Sequence, residues 1–153
     1  MHNYWLLKTE PDECSIDDIR RAGTQGISWD GIRNYQARNF IRDQLQPGDR
    51  CFIVHSSCPK PGVYGLALAT SPAMIDPSQF QVDHPYFDAK ATKEKPRWWY
   101  FQLAWQASYR PISNAWLKQQ PECQDWLLFR QPRLSVSPIS FKQGQWLEGI
   151  AAN

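Results

Sequence analysis

The chain has 153 residues and a formal net charge of +2, with 42% hydrophobic and 21% charged residues. This is the size of one domain, ~100–150 residues being commonest, with a core large enough to need no disulfide staples. The mild basicity excludes a protein that grips a long duplex through many phosphates, and no apolar run approaches the ~20 residues that cross a bilayer.

One domain over residues 1–153 is therefore expected. No signal peptide is read ahead of Tyr4. Cys14, Cys51, Cys58 and Cys123 form no C-x-x-C pair, which points to free thiols and a cytoplasmic location. The unusual feature is aromatic: eight tryptophans, six tyrosines and seven phenylalanines. Some fill a core, but aromatic excess is also how proteins stack bases.

Tyr4 to Lys8 is an apolar strand, stopped by Pro11. Ser15 and Asp18 form a capping box, opening a short helix that runs to about Arg21 and ends at Gly23. The acids Asp12, Glu13, Asp17 and Asp18 complement a helix dipole better than they make an acid/base pair.

The stretch Ile27 to Leu45 organises the rest. Trp29-Asp30-Gly31 places an aromatic beside a turn, and Asn34 can cap a helix over 34–45. Ala37, Phe40, Ile41 and Leu45 recur at the spacing of a buried helical face, and Pro47-Gly48 ends it. Asn34, Arg38 and Arg42 stand about one turn apart on the opposite face. An aromatic, a tight turn and guanidinium groups in one segment suit a pocket for a flat ring beside a phosphate. A core tryptophan with a solvated arginine face fits the same residues.

Strands follow at 50–55 and 62–70, joined by a hairpin-like loop, and Gly65 marks a bulge or a close approach. Cys51 and His55 share a strand face roughly 13 Å apart, too far to share a metal. His55 and Cys58 find no further ligand for a tetrahedral site, so no metal is expected.

Ser71 to Lys95 is the longest irregular stretch, centred on Asp83-His84-Pro85-Tyr86-Phe87-Asp88. Such loops are usually functional or mobile. Lys90, Lys93 and Lys95 read as a solvated cluster, phosphate contact being the other option. Residues 98–108 make the richest strand. Ser113 and Ser140 cap later helices, a turn of helix fits 125–130, and 133–137 fits an edge strand. The pattern is α+β, with a small mixed sheet curling into a β-barrel flanked by short helices.

No G-x-S-x-G elbow, P-loop or G-x-G-x-x-G occurs, so neither catalysis nor a nucleotide cofactor is expected. Binding is better supported. Reading one unpaired base needs π faces and a few fixed polar groups on its edge. Trp29 supplies one face and Tyr86 or Tyr35 a second. Thr9, Glu10, Asn34, His55 and Ser56 all fall at strand ends or helix starts, where a barrel mouth gathers them. Arg38 and Arg42 are placed to hold the flanking phosphate.

Four stretches together resemble the EVE domain family: Asn3 to Pro11, Trp29 to Asn39, His84 to Asp88 and Arg133 to Val136. The resemblance covers nearly the whole chain. It implies a PUA-like fold related to the YTH and SRA readers of methylated bases. The implied function is a non-catalytic reader of a modified base, such as methylated cytosine or adenine, in DNA or RNA. Trp29 then matches a cage tryptophan of the YTH readers, and Lys8-Thr9-Glu10 matches base-contacting groups at the end of their first strand. Tyr86 lies in the loop that would supply the opposing aromatic. The chain departs from the family at Cys14, where an aromatic is commoner, and at Phe87, where tyrosine is common. Two other functions stay open: an enzyme acting on a modified base or nucleotide through Asp30 or Glu10 with His55, and a protein-interaction module with a vestigial pocket.

Overall fold

Strand β1 (Tyr4–Thr9) buries both its alternating sets, Tyr4 and Leu6 on one side and Trp5 and Leu7 on the other. A strand apolar on both faces must be covered on both. In the computed structural model, which describes residues 2–152, it is. The end residues of the expected 1–153 domain lie outside the described residues.

β1 runs parallel to β3 (Arg50–His55) and antiparallel to β7 (Val136–Ile139). A parallel pair needs a long crossover. Here it carries α1 (Ile16–Arg21), β2 (Ile27–Trp29) and α2 (Tyr35–Gln44). With β4 (Gly62–Ala69), β5 (Met74–Ile75) and β6 (Trp99–Ser113), the sheet has the order β2-β6-β4-β3-β1-β7, and β5 pairs with β6.

The fold is the expected α+β one, a curled mixed sheet with short helices. The curl stops at a half-barrel: β2 and β7 end the order, with no ladder between them among the described residues. Helix α2 packs on both β6 and β7 and so spans the opening, with Ala37 and Ile41 buried.

The concave side holds one core, including Trp5, Leu7, Trp29, Ile41, Ile53, Phe101 and Leu103. The convex side holds a second, including Tyr4, Leu6, Phe52, Trp126 and Leu147. Helices α3 (Asn114–Leu117), α4 (Leu127–Arg130) and α5 (Phe141–Ala151) cover it. Asp49 ties the first core to its frame. Its buried carboxylate accepts from Trp5 Nε1 at 2.8 Å, Asn3 N at 3.0 Å and Gln46 N at 2.9 Å.

The expected caps are in place. Ser15 accepts from Asp18 N at 3.1 Å, Asn34 from Ala37 N at 2.9 Å, and Ser140 from Gln143 N at 3.1 Å. The bulge at Gly65 is real: the β3–β4 and β4–β6 registers both shift there. A Cβ on Gly65 would sit 2.5 Å from Ile16 Cδ1, so a bare backbone lets α1 press onto the sheet.

Several boundaries differ from the sequence reading. Residues 27–29 are a strand, too short to display alternation, held by pairing with β6. The stretch 71–95 contains β5 and a 3-10 turn over Pro77–Phe80, capped by the Asp76 carboxylate accepting from Ser78 N at 2.9 Å. β6 continues to Ser113 because β4 pairs along its length. β7 begins at Val136, three residues later than expected, because Leu134 N donates to Gln131 O in a turn.

Candidate functional site

An open cleft of about 550 Å³ lies where the parallel strands β1 and β3 end. Crevices outside the carboxyl ends of parallel strands are common ligand sites, and the volume falls within the ~300–1,000 Å³ of small-molecule pockets. Lys8, Thr9 and Glu10 enter from β1, Glu13 and Cys14 from the turn before α1, and Ser56 from the end of β3. Residues 27–32, from β2 into the following turn, make another wall, and Tyr86 reaches in from the long loop.

Trp29 is both core and wall. Its position pairs with Phe101 across β2 and β6, and the residue is 7% exposed among the concave-side hydrophobes, yet it lines the cleft. Tyr86 is the more open ring, at 40%. Gly31 has φ +72°, and a Cβ there would stand 2.6 Å from the Tyr86 ring. Only a glycine lets that phenol lie against the turn.

The loop that presents Tyr86 is pinned by Arg33. Its Nη2 donates to Tyr86 O at 2.7 Å, its Nη1 pairs with the buried Asp76 at 3.3 Å, and its guanidinium lies 5.4 Å from the Tyr86 ring centre. Behind it, Trp98 Nε1 donates to Asp88 at 2.8 Å, which holds that carboxyl below its ordinary range.

Polar groups in the cleft are constrained. Thr9 Oγ1 donates to Cys14 O at 3.0 Å, and Ser56 N donates to Thr9 O at 2.9 Å. The Lys8 ammonium donates to Pro132 O, and burial lowers its pKa. Burial, then the nearby Asp76 carboxylate, pushes the Asp30 carboxyl above its usual range. Burial, then Asp18, raises the Cys14 thiol, which favours its neutral form.

Of the residues expected from sequence, Lys8, Thr9, Glu10, Trp29, Ser56 and Tyr86 come together here. Asn34, Tyr35 and His55 do not line the cleft. Asn34 caps α2. Tyr35 stacks on Trp98 with ring centres 5.1 Å apart, with the Arg38 guanidinium 4.9 Å from its centre. His55 stacks on Tyr64 at 4.0 Å, and its Nε2 accepts from Ile16 N at 3.1 Å. Burial lowers the His55 pKa, in keeping with a neutral acceptor nitrogen. Arg38 and Arg42 also lie away from the cleft. Arg38 Nη1 donates to Arg97 O at 2.9 Å, and Arg42 Nε pairs with Asp43 at 2.7 Å.

Sequence reasoning missed Arg33, Asp76 and the wall of Ile27, Ser28 and Ile32. Asp76 before Pro77-Ser78 carried a capping signal; Arg33 carried none, since its partners are remote in sequence. Among the described residues no cluster of three or more His, Cys, Asp or Glu could hold a metal ion, and no helix is long and apolar enough to cross a membrane.

The family model for the EVE domain matches residues 3–150. Human thymocyte nuclear protein 1 is 31% identical over 158 residues, covering 92% of this chain and 70% of that protein. A crystal structure from Pseudomonas putida is 41% identical with TM-score 0.90, covering 97% of this chain and 99% of that one. The human THYN1 protein in complex with 5-methylcytosine-containing DNA superposes with TM-score 0.91 at 29% identity, covering 99% and 98%. With the half-barrel and nearly its full length matched, the chain belongs to the EVE domain family.

Proposed function

We propose that this protein is a non-catalytic reader of a modified nucleobase, such as methylated cytosine or adenine, in DNA or RNA. The observation that carries the proposal is one open cleft that combines the Trp29 and Tyr86 rings with the Glu10 and Asp30 carboxylates. Rings give a base its stacking faces. Carboxylates accept from an exocyclic amine, which cytosine and adenine have and thymine lacks. Ile27 and Ile32 offer apolar surface for a methyl group, where lost water is favourable. The relative bound to 5-methylcytosine-containing DNA supports the same ligand class. Asn34, Tyr35 and His55 act from behind the wall, by fixing α2, the long loop and α1. His55 stands outside the cleft, where its Nε2 accepts from Ile16 N. The four free cysteines agree with a reducing, cytoplasmic setting.

The test is titration of short oligonucleotides carrying a modified or plain cytosine, adenine or thymine at one position. Modified amine-bearing bases should bind tightest. Tyr86→Ala should weaken that binding by ~1–3 kcal/mol, with little change in melting temperature because the ring is half exposed. Equal affinity for all bases, with no effect of Tyr86→Ala, would refute the proposal.

A further inference from the structure

A second, larger groove of about 1,110 Å³ adjoins the cleft, and the two share Lys8 and Ser56. Their charges are opposite. The cleft is lined by Glu10, Glu13 and Asp30 against Lys8 alone. The groove is lined by Lys8, Lys60 and Lys118, with no carboxylate side chain among its lining residues. None of these lysines forms an ion pair among the described residues. The Lys118 ammonium lies 5.5 Å from the Phe129 ring centre on the apolar floor. On the same wall the Asn114 Oδ1 is buried without a hydrogen-bond partner.

A phosphodiester repels carboxylates, so a base held in the acidic cleft must leave its backbone elsewhere. The two cavities meet at Lys8 and Ser56, which line both. We propose that the lysine groove takes the phosphates and sugars of the nucleotides flanking the recognised base. Lys60 and Lys118 pair with successive phosphates, Lys8 marks the turn from base to backbone, and the Phe129 floor carries a sugar or a neighbouring base. The assignment rests on the base-reader function and adds where the strand runs. It moves the phosphate contact from Arg38 and Arg42 to Lys60 and Lys118.

The experiment compares the full chain with Lys60→Ala/Lys118→Ala and Lys60→Arg/Lys118→Arg, titrating modified and plain single-stranded oligonucleotides across a salt series. Both lysines are exposed. Two lost phosphate contacts should flatten the plot of log K against log salt by ~1.4 for a single strand. Affinity for modified and plain strands should fall by the same factor, keeping their ratio, and the arginine variant should retain the parent slope. An unchanged slope in the alanine variant overturns the proposal, as does a slope lost only in Arg38→Ala/Arg42→Ala. If the parent chain binds strands without preferring a modified base, the reader function fails while the slope still judges the groove. A parent chain that binds no strand overturns both.

Discussion

A single missing side chain sets the position of the only half-exposed ring in the cleft. Gly31 sits at φ +72° with the Tyr86 ring where its Cβ would be. Gly31→Ala should therefore strain the turn by ~1–3 kcal/mol and push Tyr86 aside. Base affinity should fall about as far as in Tyr86→Ala, and thermal melting beside titration checks both effects. Wild-type affinity in Gly31→Ala would mean the ring is not part of the binding surface. Residue types at the site were legible before the fold, since Trp29, Tyr86 and the Lys8-Thr9-Glu10 run announce themselves by chemistry. Their surroundings were not. Nothing local to Trp29 says that it is buried to 7% exposure, or that Arg33 is spoken for by Asp76 and Tyr86.

Between elements, the contact of His55 with α1 carries a pH signature. Ile16 N donates to His55 Nε2, which can accept only when neutral. Burial lowers the folded-state pKa below the ordinary 6.5, so the unfolded chain takes up a proton first. Stability from this contact is complete above about pH 6.5 and is lost progressively as the pH falls toward the folded value. His55→Gln should flatten that part of a melting-temperature profile measured from pH 7.5 to 5; a parallel decline in both proteins would assign the loss to other groups. Elements with local signals were legible: caps at Ser15, Asn34 and Ser140 act within their own first turns. β2 and the true start of β7 were not, because pairing with distant β6 and β1 defines them.

For the molecule as a whole, one sheet divides two cores, and β1, β3, β4, β6 and β7 each contribute to both sides. Damage to either should therefore reach the other. Ile41→Ala under the concave side and Leu147→Ala on the convex side each remove a fully buried side chain, costing ~2–5 kcal/mol. In each, far-ultraviolet and near-ultraviolet circular dichroism should report a single shared transition; separate midpoints would show that the layers melt independently. The sheet's double covering was visible in the unbroken apolar runs of β1 and β3, whereas the incomplete closure bridged by α2 was not, since no local pattern encodes a missing ladder. The parallel join of β1 to β3 has one more result. Both strand ends meet beneath the cleft only after the chain from Glu10 to Asp49 has looped out, folded and returned, and contacts of long separation form slowly. A chain that ends before the β3 terminus and the long loop therefore lacks the Ser56 and Tyr86 sides of this cleft.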